Sequence, residues 1–186
     1  MSVFGYVLFA VAMGLQALLT LRSSAARVSI RLSKGVLIAA VIAVAECFLL
    51  LLGIWFASLW SYQLKHIDTY TFVGIMLLLV VKMLLATFGK QRREIAYDIS
   101  QMGTIVLLAV ALGIDALIGG MAFGFLDDIS TGGLKAGTPL FIAVFFLSYL
   151  GIMLGRSQVE VRQRRWQLFS VLFVLATVFI ALQHSL

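Results

Sequence analysis

Six apolar blocks, each about 20 residues long, make up most of the chain and are separated by short polar connections. A helix needs about 20 apolar residues to cross the roughly 30 Å hydrocarbon core of a bilayer, whereas strands of a membrane barrel alternate in polarity over about ten. The blocks cover approximately residues 3–21, 35–60, 69–88, 103–126, 138–155 and 167–183. This pattern predicts an all-α integral membrane protein with six transmembrane helices.

The composition agrees with lipid as the solvent of most side chains. Of the 186 residues, 62% are hydrophobic and 12% are charged, against about 25% charged residues in a typical soluble domain. The formal net charge is +6, but the basic residues lie between the apolar blocks and not along one face of a soluble helix. We therefore expect the lipid bilayer to be a partner of the chain and nucleic acid not to be one.

The basic residues alternate between connections and thereby predict an orientation. The first, third and fifth connections hold 11 of the 14 Lys and Arg residues, the second and fourth hold two, and Lys82 lies inside a span. The positive-inside rule then places the odd connections in the cytoplasm and both termini outside it. Aromatic residues cluster at the predicted outer boundary, as in an interfacial belt; they are Trp55, Trp60, Tyr62 and Tyr70.

The fourth connection is expected to form a turn on the outer side. Residues that favour turns cluster there; they are Gly132, Gly133, Gly137 and Pro139. Asp127 and Asp128 precede them and are expected to lie in a solvated loop, although at an outer mouth they would also attract cations.

Two segments of the chain resemble each other and predict an internal repeat. Residues 10–19 (AVAMGLQALL) and 109–118 (AVALGIDALI) are identical at six of ten positions, and residues 52–54 match residues 150–152 at nearly the same offset. Three spans separate the copies, so equivalent helices run in opposite directions. Many transporters are built from such inverted repeats, with the substrate site near the midplane where the halves meet.

The repeat divides the chain into three parts. Residues 1–88 form the first three-helix repeat, residues 89–102 a cytoplasmic linker, and residues 103–186 the second three-helix repeat. Two similar halves that open to opposite sides give a physical basis for alternating access. A duplicated structural protein without transport activity is the competing interpretation of the same repeat.

Two carboxyl groups lie near the middle of predicted spans, Glu46 in the second and Asp115 in the fourth. A charged group at the centre of a membrane helix costs about 2.5–3.5 kcal/mol, which makes such groups candidates for function. Two carboxylates at the midplane can share a divalent cation, because hard cations prefer oxygen ligands. Their mutual repulsion and burial would equally allow proton coupling. A protonated carboxyl group that bonds neighbouring helices is the structural alternative.

Two further polar residues belong to this candidate site. Gln16 takes the position of Asp115 in the first repeat, where its amide oxygen can still bind a cation or can bond a neighbouring helix. Lys82 lies about six residues from the cytoplasmic end of the third span. Its long stem can reach the interface by snorkelling, or its ammonium group can balance the charge of Glu46 or Asp115. Thr20 and Ser148 are weaker candidates as neutral ligands.

Other chemical motifs do not occur in the chain. It has no nucleophile elbow, phosphate-binding loop, zinc-ligand spacing or flavin fingerprint, so we expect neither an enzyme nor a cofactor. His66 and His184 fall at predicted outer edges, away from any ligand spacing. Cys47, the single cysteine, excludes an intramolecular disulfide and is expected to be an inert thiol within its apolar block.

The chain resembles the manganese efflux pump (MntP-type) family of the lysine-exporter superfamily, six-helix exporters of the bacterial inner membrane. The resemblance extends over essentially the whole chain, and its strongest match is AVALGIDALIGGMAFGFL at residues 109–126. It implies that Asp115 and Glu46 occupy acidic positions of the family, and that Lys82 occupies a basic one. The chain differs in having Gln16 where the family's first helix carries Asp, and in lacking the family's proline in the second helix.

These observations lead to three hypotheses. The first is a secondary exporter of a cation such as Mn²⁺, with Asp115 and Glu46 as ligands or proton carriers, Gln16 as a neutral ligand and Lys82 as charge balance. The second is a membrane scaffold or accessory subunit derived from an exporter. The third is an exporter of an amino acid or small organic cation. A homo-oligomer is also open, because Gly151-x-x-x-Gly155 can pack helices within one chain or between chains.

Overall fold

Six long helices make up most of the part of the chain that the structure describes. A computed structural model describes residues 3–27, 32–61, 68–88, 99, 101–126, 129–157 and 163–185, and no strand occurs among them. The helices are α1 (Val3–Ala25), α2 (Leu32–Ser61), α3 (Asp68–Phe88), α4 (Met102–Gly124), α5 (Ile129–Arg156) and α6 (Gln163–Ser185). All six are long and apolar enough to cross a membrane. The predicted all-α fold with six membrane-spanning helices is therefore confirmed.

The lengths of these helices suit a bilayer. In hydrocarbon every backbone N–H and C=O must be bonded inside the segment, and a helix achieves this without a partner. The 23 residues of α1 rise by about 34 Å, slightly more than the roughly 30 Å of the hydrocarbon core. The 30 residues of α2 rise by about 45 Å, so α2 extends past the core or crosses it at a tilt.

Helices α1 and α5 pack closely and run in the same direction. Gly14 of α1 lies against Leu147 of α5, and further along both helices Gly151 lies against the backbone of Leu18. Residue numbers thus rise together along the contact. Gly155 continues the same interface one turn later, so the Gly151-x-x-x-Gly155 pair packs helices within one chain.

Helices α2 and α4 form a second pair that also runs in one direction. Gly113 of α4 lies against Leu49 of α2, and Gly53 of α2 lies against the backbone of Leu117. The α1–α5 and α2–α4 contacts are the most extensive in the described part of the chain. Glycines at both interfaces let the helix backbones approach more closely than larger residues would.

The two helix pairs use residues related by the sequence repeat. Leu147 on Gly14 corresponds to Leu49 on Gly113, at offsets of 98 and 99 residues. The contact of Leu18 with Gly151 corresponds in the same way to that of Leu117 with Gly53. The inverted repeat and the three-part division of the chain stay predictions, and these matched contacts are what an inverted repeat requires.

Helices of opposite direction also meet in the bundle. In α2 and α5, Cys47 contacts Gly137 while the later residue Leu51 contacts the earlier residue Gly133. The hydrogen bonds from Ser170 and Thr177 of α6 to α1 follow the same reversed order. Parallel odd–odd and even–even pairs, together with antiparallel odd–even pairs, are the arrangement that six successive membrane crossings produce.

The predicted turn in the fourth connection is wrong. Gly132, Gly133, Gly137 and Pro139 all lie inside α5, which begins at Ile129. Cys47 of α2 donates a hydrogen bond through Sγ to the carbonyl oxygen of Gly137, at 3.8 Å. The glycines thus serve close packing of α5 on α2, and a proline is tolerated in a membrane helix where neighbouring helices satisfy the freed backbone groups.

Several sequence predictions concern residues at the ends of helices. Trp55, Trp60 and Tyr70 are exposed on the bundle surface, as an interfacial belt requires, while Tyr62 lies outside the described residues. Asp127, Asp128 and His66 also lie outside them, as does the side chain of His184. Of the predicted linker 89–102, the structure describes only residues 99, 101 and 102.

Candidate functional site

Asp115 lies near the middle of α4, on the face of the helix that the bundle covers. Its neighbours Gly113, Ala116 and Gly119 are buried, whereas Ile114 is exposed. The side chain of Asp115 keeps only 13% of its surface exposed. The packing of α4 therefore turns this carboxyl group towards protein and away from lipid.

Lys82 of α3 is the partner of Asp115. Lys82 Nζ donates a hydrogen bond to Asp115 Oδ1, and the two groups form an ion pair. The sequence left snorkelling and charge balance open for Lys82. The ion pair is the contact that charge balance requires, and that role stays a prediction. Pairing offsets the cost of about 2.5–3.5 kcal/mol that each isolated charge would incur at the centre of a membrane helix.

Glu46 of α2 is the second acidic group of the interior. It is 1% exposed, and its Oε2 has no hydrogen-bond partner among the described residues. Glu46 lies one turn before Leu49, which packs against Gly113 of α4, two residues before Asp115. The two carboxyl groups therefore lie on adjacent helices in the same part of the bundle. A buried polar atom without a partner is unfavourable and calls for a proton, a water molecule or a cation beside it.

Gln16 of α1 is half-buried and lies apart from the ion pair in the contacts that the structure describes. Its backbone carbonyl accepts a hydrogen bond from Thr20 Oγ1 at 2.9 Å, so the hydroxyl of Thr20 is used within its own helix. Gln16 is therefore not brought onto Asp115 by any described contact, and its role as a neutral ligand stays a prediction.

Ser148 of α5 was a weak candidate from the sequence, and its environment in the structure makes it a stronger one. Its Oγ is completely buried and has no hydrogen-bond partner among the described residues. Leu147 contacts α1 two residues before Gln16, and Gly151 contacts α1 two residues after Gln16. Ser148 and Gln16 therefore lie at about the same level of the bundle, on adjacent helices.

The described residues contain no group of three or more His, Cys, Asp and Glu side chains that could hold a metal ion. A cation at Asp115 and Glu46 would complete its shell with neutral oxygens such as backbone carbonyls, hydroxyls, amides or water, which is usual for hard cations. The two carboxylates would supply the negative charge of such a site, and the neutral oxygens would complete the coordination of the cation.

Four buried aromatic rings form a cluster that sequence analysis missed. The cluster consists of Tyr6, Phe9, Phe72 and Phe123, each no more than 1% exposed. Phe123 is its centre, with ring centroids 4.8 Å from Tyr6, 4.9 Å from Phe9 and 6.1 Å from Phe72. It lies two helical turns, about 12 Å, beyond Asp115 on α4, towards the end of the bundle opposite the basic connections.

Six helices long and apolar enough to cross a membrane, with an ion pair and a further buried carboxyl group on them, define a polytopic membrane protein with ionisable groups in its interior. A family model described as "Putative manganese efflux pump" (Mntp) matches residues 29–181, most of the chain. The protein belongs to this family of transporters, and the resemblance deduced from its sequence is confirmed. No curated protein and no solved structure matches the chain.

Proposed function

We propose that the protein is a secondary transporter that exports a divalent cation, Mn²⁺, by alternating access. The observation that carries this proposal is the presence of two interior carboxyl groups, Asp115 and Glu46, on the adjacent helices α4 and α2. Among the described residues, the buried Oε2 of Glu46 has no hydrogen-bond partner. Two carboxylates in one region offer a divalent cation the hard anionic ligands that it prefers. Membership of the manganese efflux family supports Mn²⁺ as the substrate.

The division of roles follows from charge. Asp115 and Glu46 bind the cation, Gln16 contributes a neutral oxygen, and Lys82 balances the charge of Asp115. The chain carries no phosphate-binding loop, so we propose an ion gradient or the membrane potential as the driving force. Moving one charge through 100 mV supplies about 2.3 kcal/mol.

Alternating access is supported by the two closely packed pairs, α1–α5 and α2–α4, with their repeat-related contacts. The aromatic cluster supplies a seal at one end of the path. Under the repeat, Tyr6 and Phe9 correspond to Ile105 and Leu108, which are smaller. The cation is therefore closed off by rings at one end and by aliphatic side chains at the other.

The orientation places the cluster at the outer end. Arg22, Lys34, Arg156 and Arg165 all belong to the opposite end of the bundle, which the positive-inside rule assigns to the cytoplasm. We accordingly propose the bacterial inner membrane as the location, with both termini outside the cytoplasm.

A flux assay tests this function. Purified protein is reconstituted into liposomes that enclose a Mn²⁺-sensitive dye, and Mn²⁺ is added outside. Saturable entry above that of protein-free liposomes is the expected result. Movement of amino acids or small organic cations in place of Mn²⁺ would support the third hypothesis of the sequence analysis, and movement of no solute would support a scaffold or accessory subunit.

An acidic residue at position 16 is expected to strengthen cation binding. Gln16→Asp adds an anionic ligand to the repeat position of Asp115, so we expect Mn²⁺ affinity to rise about tenfold, equivalent to about 1.4 kcal/mol. Gln16→Asn is the matched control, since Asn has the size of Asp without its charge. Equal affinities of the two variants, measured by equilibrium binding, would remove Gln16 from the site.

Opening the aromatic cluster is expected to expose the site from outside. In a Cys47→Ser background, Asp115→Cys reports access of a membrane-impermeant thiol reagent applied to intact cells. We expect Phe123→Ala to speed labelling at position 115 about tenfold, because it removes the ring that contacts the other three. Phe179→Ala, on an exposed face of α6, is the control. Unchanged labelling after Phe123→Ala would show that the cluster does not seal the path.

A further inference from the structure

The ammonium group of Lys82 sits on the same carboxylate that the proposed function assigns to the transported cation. Lys82 Nζ donates to Asp115 Oδ1. A cation that binds Asp115 through this oxygen needs Lys82 to withdraw. The chain therefore carries its own cation at the substrate position, attached through a flexible stem.

The structure also offers Lys82 a second position. Its side chain is 47% exposed, and its neighbours along the helix, Leu78 and Leu85, are exposed as well. Lys82 is thus at the edge of the bundle, where its stem is free to swing. It lies six residues before Phe88, the last residue of α3, a rise of about 9 Å, which brings the interface within reach of snorkelling.

We propose that Lys82 is a tethered competitor of the transported cation. It neutralises Asp115 between transport events and withdraws towards the basic end of the bundle when the substrate binds. This inference rests on the proposed function, because it assumes that Asp115 binds the substrate. It goes beyond charge balance in predicting that Lys82 weakens substrate binding and supports the return of the unloaded protein.

The return step explains why such a competitor would be useful. Without Lys82, an unloaded Asp115 would have to take up a proton or change sides as a bare charge in a low-dielectric interior, and the bare charge is strongly unfavourable. Exchange of Mn²⁺ on one side of the membrane for Mn²⁺ on the other avoids the return of the unloaded protein, because the site stays occupied throughout. Net export requires the return of the unloaded protein in every cycle.

The test compares Lys82→Met with Lys82→Arg in the full-length protein. We expect Lys82→Met to bind Mn²⁺ about tenfold more tightly than the wild type, to keep Mn²⁺–Mn²⁺ exchange, and to lose net efflux. Lys82→Arg keeps the charge and a donor to Asp115, so it should bind Mn²⁺ more weakly than Lys82→Met. Wild-type or weaker affinity of Lys82→Met would overturn the inference.

A measurement on the wild-type protein guards against a misfolded variant. If the substrate displaces Lys82, saturating Mn²⁺ should increase its acylation by a water-soluble amine reagent several-fold, relative to Lys34 at the basic end. If Mn²⁺ binds but the acylation of Lys82 relative to Lys34 does not change, the inference about Lys82 is overturned and the proposed function is not. A wild-type protein that binds no Mn²⁺ would overturn the proposed function, and the inference with it.

Discussion

Asp115→Asn is expected to abolish Mn²⁺ flux, with a loss of at least about 100-fold, or about 2.7 kcal/mol in the transport barrier. Asn has nearly the shape of Asp but provides no negative charge. The substitution removes a ligand from the proposed site and also leaves the ammonium group of Lys82 without its ion-pair partner. Flux is measured in liposomes with a Mn²⁺-sensitive dye.

Asp115→Glu is the control for this substitution, because it keeps a carboxylate at this position for the cation and for Lys82, and it should retain more flux than Asp115→Asn. Both variants should first be shown to elute from size exclusion like the wild type. If the Mn²⁺ flux of the Asp115→Asn variant is within a few-fold of that of the wild type, the ion pair has only a structural role.

Alanine at Gly53 or Gly120 is expected to destabilise the bundle by about 2 kcal/mol or more, in the range of overpacked protein interiors. A Cβ at Gly53 would overlap the carbonyl oxygen of Leu117, and one at Gly120 would overlap that of Leu50. These neighbours are helix backbone, which cannot move aside as a side chain can. Helices α2 and α4, which carry Glu46 and Asp115, would have to separate.

Two other glycines provide matched controls for this prediction. A Cβ at Gly74 or Gly103 would meet no atom within 4 Å, and alanine favours a helix over glycine by about 0.5–1 kcal/mol. Gly74→Ala and Gly103→Ala should therefore unfold at or slightly above the wild-type temperature in detergent. Similar unfolding temperatures for all four variants would show that α2 and α4 do not depend on close backbone contact.

Much of the fold could be predicted because the bilayer imposes a simple length rule. Five of the six predicted spans, all but the fifth, agree with the helices to within four residues at each end, because apolar blocks of this length have few alternatives in lipid. The start of α5 could not be predicted in this way. Glycine and proline favour turns in water, but Gly133 and Gly137 are used for packing against α2, and that depends on which helices are neighbours.

The candidate site could be predicted only in part, for a related reason. Asp115, Glu46 and Lys82 were identifiable individually, because a charge within an apolar span is costly. The pairing of Lys82 with Asp115 was not, since it depends on how α3 and α4 are arranged around each other. The aromatic cluster was missed because Phe9 and Phe123 look like any other apolar residue of a span until the helices are assembled.

We propose that Asp115 and Glu46 together bind the transported cation inside the bundle. The most direct test is a crystal structure of the wild-type protein grown with Mn²⁺, with anomalous scattering recorded at the manganese absorption edge. We expect one strong anomalous peak within coordination distance of both carboxyl groups, with Lys82 Nζ moved away from Asp115. Manganese bound elsewhere, or no manganese while the Lys82–Asp115 pair persists, would contradict it.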